Sequence, residues 1–246
     1  IKYDRAATMP IELMKIWENI FKQTIRRGSD ASGILVANSK QILLFKKSGN
    51  GKNLLKDPIY KQSKLDILEF DSNDTFVVLG QSRLATNGSS SFNINNQPVQ
   101  ESGIFLIHNG IVTNDQKLRS KYNFSNEYAL DSITIAKLLD RFDVQNSPIA
   151  AVEKTLALLE GNSTFIIAIN EGKEIIATTN NGSLYYHLNE IHGLLKISSE
   201  ANFLKRNISR FYKIYPTEKI LQLQPKSIIH IDMENTRKML KFRNYT

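Results

Sequence analysis

The spacing of the apolar runs in the second half of the chain is the feature that most constrains the fold. Each run is short, rich in Ile, Leu, Thr or Tyr, and bounded by Gly, Asn or Pro. The runs are TFIIAIN (164–170), EIIATT (174–179), SLYYHL (183–188), GLLKIS (193–198), ILQLQ (220–224) and SIIHID (227–232). Runs of this length and composition are typical of β-strands. The sequence therefore predicts mostly antiparallel sheet structure in this half.

The first half mixes helices with strands. Strands are predicted at 33–38, 42–47, 76–83 and 104–109. Helices are predicted over 10–26, near Leu54, after Thr113, over 130–142, from Ser147-Pro148 to a closing Gly161, and over 199–206. The rest of 48–75 is predicted to be irregular. The pattern indicates one α+β domain over 1–246, with two mostly antiparallel sheets stacked between helices.

Composition excludes several classes of protein. The chain of 246 residues is 41% hydrophobic and 23% charged, as in ordinary globular domains. No apolar run approaches the roughly 20 residues that span a bilayer. The first ten residues lack the apolar core of a signal peptide, so we expect a cytoplasmic protein with no membrane partner. The net charge is +8, but the basic residues are scattered, which favours a solvated surface over a nucleic-acid site.

The chain contains no cysteine. This excludes disulfides, thiolate metal sites and a cysteine nucleophile among the printed residues. The four histidines show no metal-ligand spacing, so no metal site is predicted. No motif calls for a cofactor, and none is expected.

Four polar clusters depart from what a core requires. They are Arg27-Gly28-Ser29-Asp30, the segment GQSRLATNG (80–88), the tripeptide His108-Asn109-Gly110, and Asp131. Each has an ordinary structural explanation on its own, such as a helix end, a surface loop or a favourable helix dipole. Together they suggest a site for an amino acid.

The chemistry of that site follows from residue type. The planar guanidinium of Arg83 suits a carboxylate, and the carboxylate of Asp131 suits an ammonium group. Asn109 and Gly110 offer adjacent N–H donors that can stabilise a developing oxyanion. We expect a glycine at 110 because its N–H must approach a ligand without an intervening Cβ.

In this order the clusters resemble the glutaminase domains of class II glutamine amidotransferases. The motifs that carry the resemblance are RGSDASGI (27–34), GQSRLATNG (80–88), NNQPV (95–99), IHNGIVTN (107–114), LDSITIAKLL (130–139) and ISSEANFL (197–204). They extend over the chain from about residue 10 to about residue 232. The resemblance implies the N-terminal-nucleophile hydrolase fold, a four-layer αββα sandwich of two mostly antiparallel sheets.

The resemblance also implies roles in binding L-glutamine. Arg83 would bind the α-carboxylate with the help of Thr86 and of the loop at Gly88, and Asp131 would bind the α-ammonium group. The loop 86–97 would cover the substrate. Three positions differ from the family pattern: Leu84 replaces a tryptophan, and Gln81 and Asn87 each replace a histidine.

The remaining implied roles concern catalysis. Asn109 and Gly110 would form the oxyanion hole, Arg27 and Gly28 would support the site from behind, and His108 is interpreted as a structural neighbour. In the family, an N-terminal cysteine on the first strand attacks the amide, and its own α-amino group accepts the proton. The ammonia then passes to a synthase domain or subunit, which is the expected partner. Formation of a homo-oligomer is left open.

No cysteine precedes Ile1 in the printed sequence, and two explanations are open. In the first, the chain lacks its start, a strand of about 5–6 residues that carries the cysteine. In the second, the protein is a pseudo-glutaminase that binds glutamine or a partner without cleavage. A hydrolase acting on another amide is a third hypothesis, since Leu84 and Asn87 alter the substrate loop.

Overall fold

The structure is a computed structural model of the chain. It describes residues 9–38, 42–68, 76–85, 88–125, 130–189, 194–205, 219–233 and 240–244. The helices are α1 (Met9–Thr24), α2 (Gly51–Lys56), α3 (Pro58–Leu68), α4 (Asp115–Tyr122), α5 (Asp131–Arg141) and α6 (Pro148–Leu158). Residues 201–205 are also helical. None of the described helices is long and apolar enough to cross a membrane.

The strands run from β1 to β12 in chain order. They are β1 (Ala31–Asn38), β2 (Ile42–Ser48), β3 (Phe76–Arg83), β4 (Val99–Glu101), β5 (Ile104–Val112), β6 (Gly161–Ile169), β7 (Glu174–Thr179), β8 (Tyr185–Asn189), β9 (Leu194–Ser198), β10 (Leu221–Gln222), β11 (Ser227–Asp232) and β12 (Leu240–Asn244). One sheet has six strands in the order β12-β11-β7-β6-β5-β4. Two three-stranded sheets have the orders β2-β1-β3 and β10-β8-β9. All the pairings among the described strands are antiparallel.

The apolar cores define four layers. Side chains of α5 and α6 pack on one face of the six-stranded sheet, for example Ile135 and Val152 against Leu106 and Ile167. The other face of that sheet packs on both three-stranded sheets, through residues such as Leu35 and Leu195. Helix α1 and the short α2 cover the outer face of β1 and β3. The result is the αββα sandwich that the resemblance implies.

Most predicted elements are confirmed, but several boundaries were wrong. The segment 48–75 contains a second helix, α3, which the sequence reading missed. The N-cap position of helix α4 is Asn114 rather than Thr113, and the Asn114 side chain makes no capping hydrogen bond. Gly161 does not close α6, which ends at Leu158, but begins β6 with φ +99°. The short strands β4 and β12 were not predicted.

Candidate active site

A cavity of about 430 Å³ lies between the two sheet layers. Its walls include residues of β3 and β9 on one side and of β5 and β6 on the other. Most of the lining is apolar. The polar end contains four of the residues predicted from the sequence, namely Arg83, Asn109, Gly110 and Asp131. The fold therefore brings a cation, a carboxylate and the proposed oxyanion donors, from three separate segments, onto one cavity.

The layer that contains β3 and β9 is open along its middle. β3 pairs with β1 and β9 pairs with β8, and their other edges pair with no strand in the described part of the chain. Both edges line the cavity, and so does α1, which packs outside this layer. Residues of the two strands therefore face a common space.

Arg83 ends strand β3 and is 5% exposed. Its guanidinium donates to Oδ1 of Asn96 at 3.3 Å and to the carbonyl oxygen of Gly88 at 3.2 Å. Burial has the largest effect and places the pKa of the guanidinium below its usual value, although the nearby carboxylates of Asp30 and Asp131 oppose this shift. An arginine in such surroundings stays charged, so it can receive a carboxylate from the cavity.

Asp131 is the first residue of α5, where the helix dipole favours a negative charge. Its Oδ2 accepts a hydrogen bond from the Val112 N–H at 2.9 Å. Burial raises the pKa of the carboxyl group, but His108 and the N–H groups of Val112 and Ser132 outweigh that effect, so the pKa lies below its usual value. An ionised carboxylate on the cavity wall is what an ammonium group requires.

Asn109 and Gly110 lie near the end of β5, and side chains along a strand alternate between its two faces. Phe105 belongs to the core between the sheets and Leu106 to the core under the helices. Asn109, four residues after Phe105, therefore shares its face and points between the sheets. Thr164 of β6 lies opposite Asn109 and also lines the cavity.

The structure adds a second reason for glycine at 110, besides the expected approach of a ligand. Gly110 has φ +151°, and a Cβ there would lie 1.9 Å from the carbonyl oxygen of Asn162. The nearest protein obstacle is thus the backbone of the neighbouring strand β6. Glycine permits this close approach, which shapes the backbone at the candidate oxyanion hole.

Arg27 and Gly28 join the first polar cluster to Arg83 in the second cluster and to the segment that follows β9. Arg27 Nη1 donates to Ser199 Oγ at 3.3 Å and lies 3.2 Å from Glu200 Oε1. A Cβ at Gly28 would lie 2.3 Å from the carbonyl carbon of Arg83. The pair therefore supports the end of β3 and links it to the segment that follows β9.

The remaining predicted positions belong to the loop that begins at the end of β3, or differ from the family pattern there. Thr86 and Asn87 lie outside the described residues. Leu84 lines the cavity and is 62% exposed, as a residue at its mouth would be. Gln81 also lines the cavity, and its Nε2 donates to the His108 carbonyl oxygen at 2.8 Å.

The sequence reading assigned no individual role to two polar residues that hold the site together. Asp30 accepts a hydrogen bond from the Ala85 N–H at 2.8 Å, and its own N–H donates to the Arg83 carbonyl oxygen at 3.0 Å. Asn96 accepts from the Arg83 guanidinium and is fully buried. Asp30 lies in the quoted motif RGSDASGI and Asn96 in NNQPV, and this membership was the available signal.

The αββα sandwich is the fold that the resemblance to the N-terminal-nucleophile hydrolases implies. No family model matches the chain. Curated relatives are named glutamine–fructose-6-phosphate aminotransferase [isomerizing]. The Bos taurus protein is 29% identical and covers 90% of the chain. The Staphylococcus aureus (strain Mu50) protein is 30% identical and covers 82%.

The chain covers 35% of the Bos taurus relative and 33% of the Staphylococcus aureus relative. It thus spans about a third of the length of the curated proteins that it matches. The likeness is therefore to one part of those proteins, and it says nothing about their remaining two thirds.

Solved structures show the same fold. The glutamine phosphoribosylpyrophosphate amidotransferase of B. subtilis superposes with a TM-score of 0.69 at 18% identity, over 94% of this chain and 46% of that one. A class II glutamine aminotransferase domain protein from Silicibacter pomeroyi superposes with a TM-score of 0.54 at 14% identity. The match covers 88% of this chain and 97% of that one. Relatives and neighbours together confirm the predicted resemblance to class II glutamine amidotransferase domains.

Proposed function

We propose that the chain is a glutaminase domain, which hydrolyses the side-chain amide of L-glutamine and supplies ammonia to a synthase. One observation carries the proposal. Arg83, Asp131 and the Asn109–Gly110 pair line one cavity, as recognition of an α-amino acid and stabilisation of an oxyanion would require. The chain as a whole would form a single domain over 1–246.

The residues would divide the work between binding and catalysis. Arg83 binds the α-carboxylate, assisted by Thr86 and by the backbone at Gly88, and Asp131 binds the α-ammonium group. The amide group of Asn109 and the N–H of Gly110 stabilise the oxyanion as the amide carbonyl becomes tetrahedral.

The nucleophile in this proposal is an N-terminal cysteine encoded before Ile1, because the printed residues contain no cysteine. Strands β3 and β9 support it, since both line the cavity that Asn109 lines and neither has a second strand partner in the described part of the chain. The thiol transfers its proton through the cysteine α-amino group to the departing nitrogen, ammonia leaves, and a thioester forms. Water then hydrolyses the thioester to glutamate and the free thiol.

The acceptor of the ammonia would be a synthase domain or subunit. The relatives are named for transfer to fructose 6-phosphate, and two thirds of their length lies outside the match. A further part of the same protein or a separate chain would fill that role here.

A non-catalytic glutamine-binding module is the second candidate. The absence of cysteine from the printed residues favours it. Such a module would keep Arg83 and Asp131 as binding groups and would have no use for an oxyanion hole.

The experiment uses the full-length protein and a glutamine analogue with a diazoketone in place of the side-chain amide. Glutamate release from L-glutamine, with a covalent adduct on a cysteine before Ile1, supports the glutaminase. Glutamine binding by calorimetry, without turnover or adduct, supports the binding module. A full-length protein that neither binds nor cleaves glutamine would overturn both.

A further inference from the structure

The imidazole of His108 is buried beneath the candidate active site, where the residue is 3% exposed. Because His108 precedes Asn109 on β5, its side chain lies on the opposite face, beneath α5. Its Nδ1 lies 3.3 Å from Ser132 Oγ and 3.6 Å from Asp131 Oδ1. Its Nε2 lies 3.1 Å from Ser163 Oγ. Each ring nitrogen thus has a polar neighbour on a different element.

The contacts of Asp131 lie on both sides of Asn109 and Gly110, the two residues that we call the oxyanion segment. One carboxylate oxygen faces His108 and the other accepts from the N–H of Val112. Both partners are on β5, and Asn109 and Gly110 lie between them in sequence. The group that would bind the α-ammonium therefore connects the two ends of the segment that would bind the oxyanion.

The backbone of His108 is held as well. β4 pairs with β5 only as far as Leu106, so the next part of that edge has no partner among the described strands. The His108 N–H donates to Gln97 Oε1 at 2.6 Å, and its carbonyl oxygen accepts from Gln81 Nε2 at 2.8 Å. Gln97 Nε2 in turn donates to Ser132 Oγ at 3.2 Å. Side chains thus replace a neighbouring strand at this point.

The partners also fix the proton positions on the ring. The nearest partner of Nδ1 is Ser132 Oγ at 3.3 Å, and that hydroxyl donates to Asp131 Oδ1 at 3.4 Å. With its own hydrogen directed at the carboxylate, Ser132 can only accept from the ring, so we assign the hydrogen to Nδ1. On the other side of the ring, Nε2 lies 3.1 Å from the hydroxyl of Ser163. Strand β6 therefore holds the ring from behind while the ring faces the carboxylate.

We propose that His108 is a positioning residue that fixes the Asp131 carboxylate across the oxyanion segment, so that one imidazole orients the group that binds the substrate ammonium. The inference rests on the proposed function for its substrate, L-glutamine. It assigns His108 no proton transfer to or from glutamine. Its effect on glutamine passes through Asp131.

The same residues include a serine, a histidine and an aspartate, the side chains of a hydrolytic triad. Ser163 is a poor nucleophile in this setting, because it is only 1% exposed. Its hydroxyl lies on the helix-covered face of the six-stranded sheet, opposite the cavity. Ser132 also stands beside the histidine and the aspartate, within 3.4 Å of Asp131 Oδ1. We therefore interpret these side chains as supporting Asp131. Labelling of Ser163 by the diazoketone analogue would contradict that interpretation.

The test compares two substitutions of His108 in the full-length protein. Asn places an amide donor near the former Nδ1, and Gln places one near the former Nε2. If His108 acts on Asp131 through Nδ1, His108→Gln should raise the pKa of the Asp131 carboxyl, followed by ¹³C NMR, more than His108→Asn does. His230→Gln is the matched control, since His230 contacts Glu174 at 2.6 Å on other strands.

Ligand binding separates the role of His108 from general damage. His108→Gln should weaken L-glutamine binding about tenfold in calorimetry, the effect of about 1.4 kcal/mol. It should leave unchanged the binding of glutaric acid monoamide, which lacks the α-ammonium group. Equal weakening of both ligands, an unchanged Asp131 pKa, or labelling of Ser163 by the diazoketone analogue would overturn the inference. If the unsubstituted protein binds neither ligand, the proposed function fails, while the NMR titration still decides whether His108 acts on Asp131.

Discussion

Gly28 packs directly on the backbone of Arg83, with room for a hydrogen but not for a methyl group. An added Cβ would lie 2.3 Å from the Arg83 carbonyl carbon and 2.5 Å from the Leu84 nitrogen. The contact is with backbone atoms, so no side chain can rotate away to relieve it. The helix-to-strand junction after α1 thereby sets the position of the arginine proposed to bind the substrate carboxylate.

Gly28→Ala should therefore displace Arg83 and weaken glutamine binding. We expect a loss of about 1–3 kcal/mol in the free energy of unfolding, as for other overpacked sites. Thermal unfolding and the KM for glutamine in the full-length protein measure the two effects. Ser29→Ala, at the exposed neighbouring position, is the control. Wild-type KM in Gly28→Ala would show that the contact does not position Arg83.

Arg83→Ala should raise the KM for glutamine by about 10- to 100-fold, because a hydrogen bond to a charged group contributes about 1.5–3 kcal/mol. Arg83→Lys keeps the charge but loses the planar pair of donors. Its KM should therefore lie between that of the wild type and that of Arg83→Ala. Steady-state kinetics on folded variants, checked by circular dichroism, measure both. A fall in kcat at constant KM would place Arg83 outside carboxylate binding.

The sequence predicted the long apolar strands correctly because their residue types carry the signal. It missed β4 and β12, which have few apolar residues and depend on pairing with β5 and β11. It also missed α3, which begins at Pro58 after Asp57. Asp57 Oδ1 accepts from the Ile59 N–H at 2.9 Å, so an acidic residue before a first-turn proline was the unused signal.

The candidate site divides in the same way. Arg83, Asn109 and Asp131 stand out in sequence because charged or amide groups interrupt apolar segments. The residues that support them do not stand out in sequence. His108, for example, contacts Ser132, which is 24 positions away, and Ser163, which is 55 positions away. Such pairs depend on the register of β5 with β6 and on the placement of α5, which no local pattern specifies.

Asn109→Ala should lower kcat by about 10²- to 10³-fold, the usual effect of losing one oxyanion donor. The donor acts on charge that develops only during the reaction, so KM should change little. Single-turnover glutamate release by the full-length protein measures the chemical step. Asn162→Ala, exposed on β6, is the matched control. Unimpaired turnover in Asn109→Ala would contradict the oxyanion assignment.

The lowered pKa of Asp131 predicts how stability changes with acid. A carboxyl group whose pKa is lower in the folded state than in the unfolded state stabilises the fold above the unfolded value, about 3.9 for aspartate. That contribution is lost as the pH falls through the folded pKa. The difference in unfolding free energy between wild type and Asp131→Asn should therefore have its full value from about pH 5 upward and should shrink below about pH 3.9.

Urea denaturation at a series of pH values measures this difference. His108→Gln should reduce the same pH-dependent contribution, because the imidazole helps to hold the pKa of Asp131 down. His230→Gln should leave it unchanged, since its carboxylate partner is Glu174. A difference between wild type and Asp131→Asn that stays constant from pH 5 through the acid range would mean that Asp131 is not held as an ionised carboxylate in the folded protein.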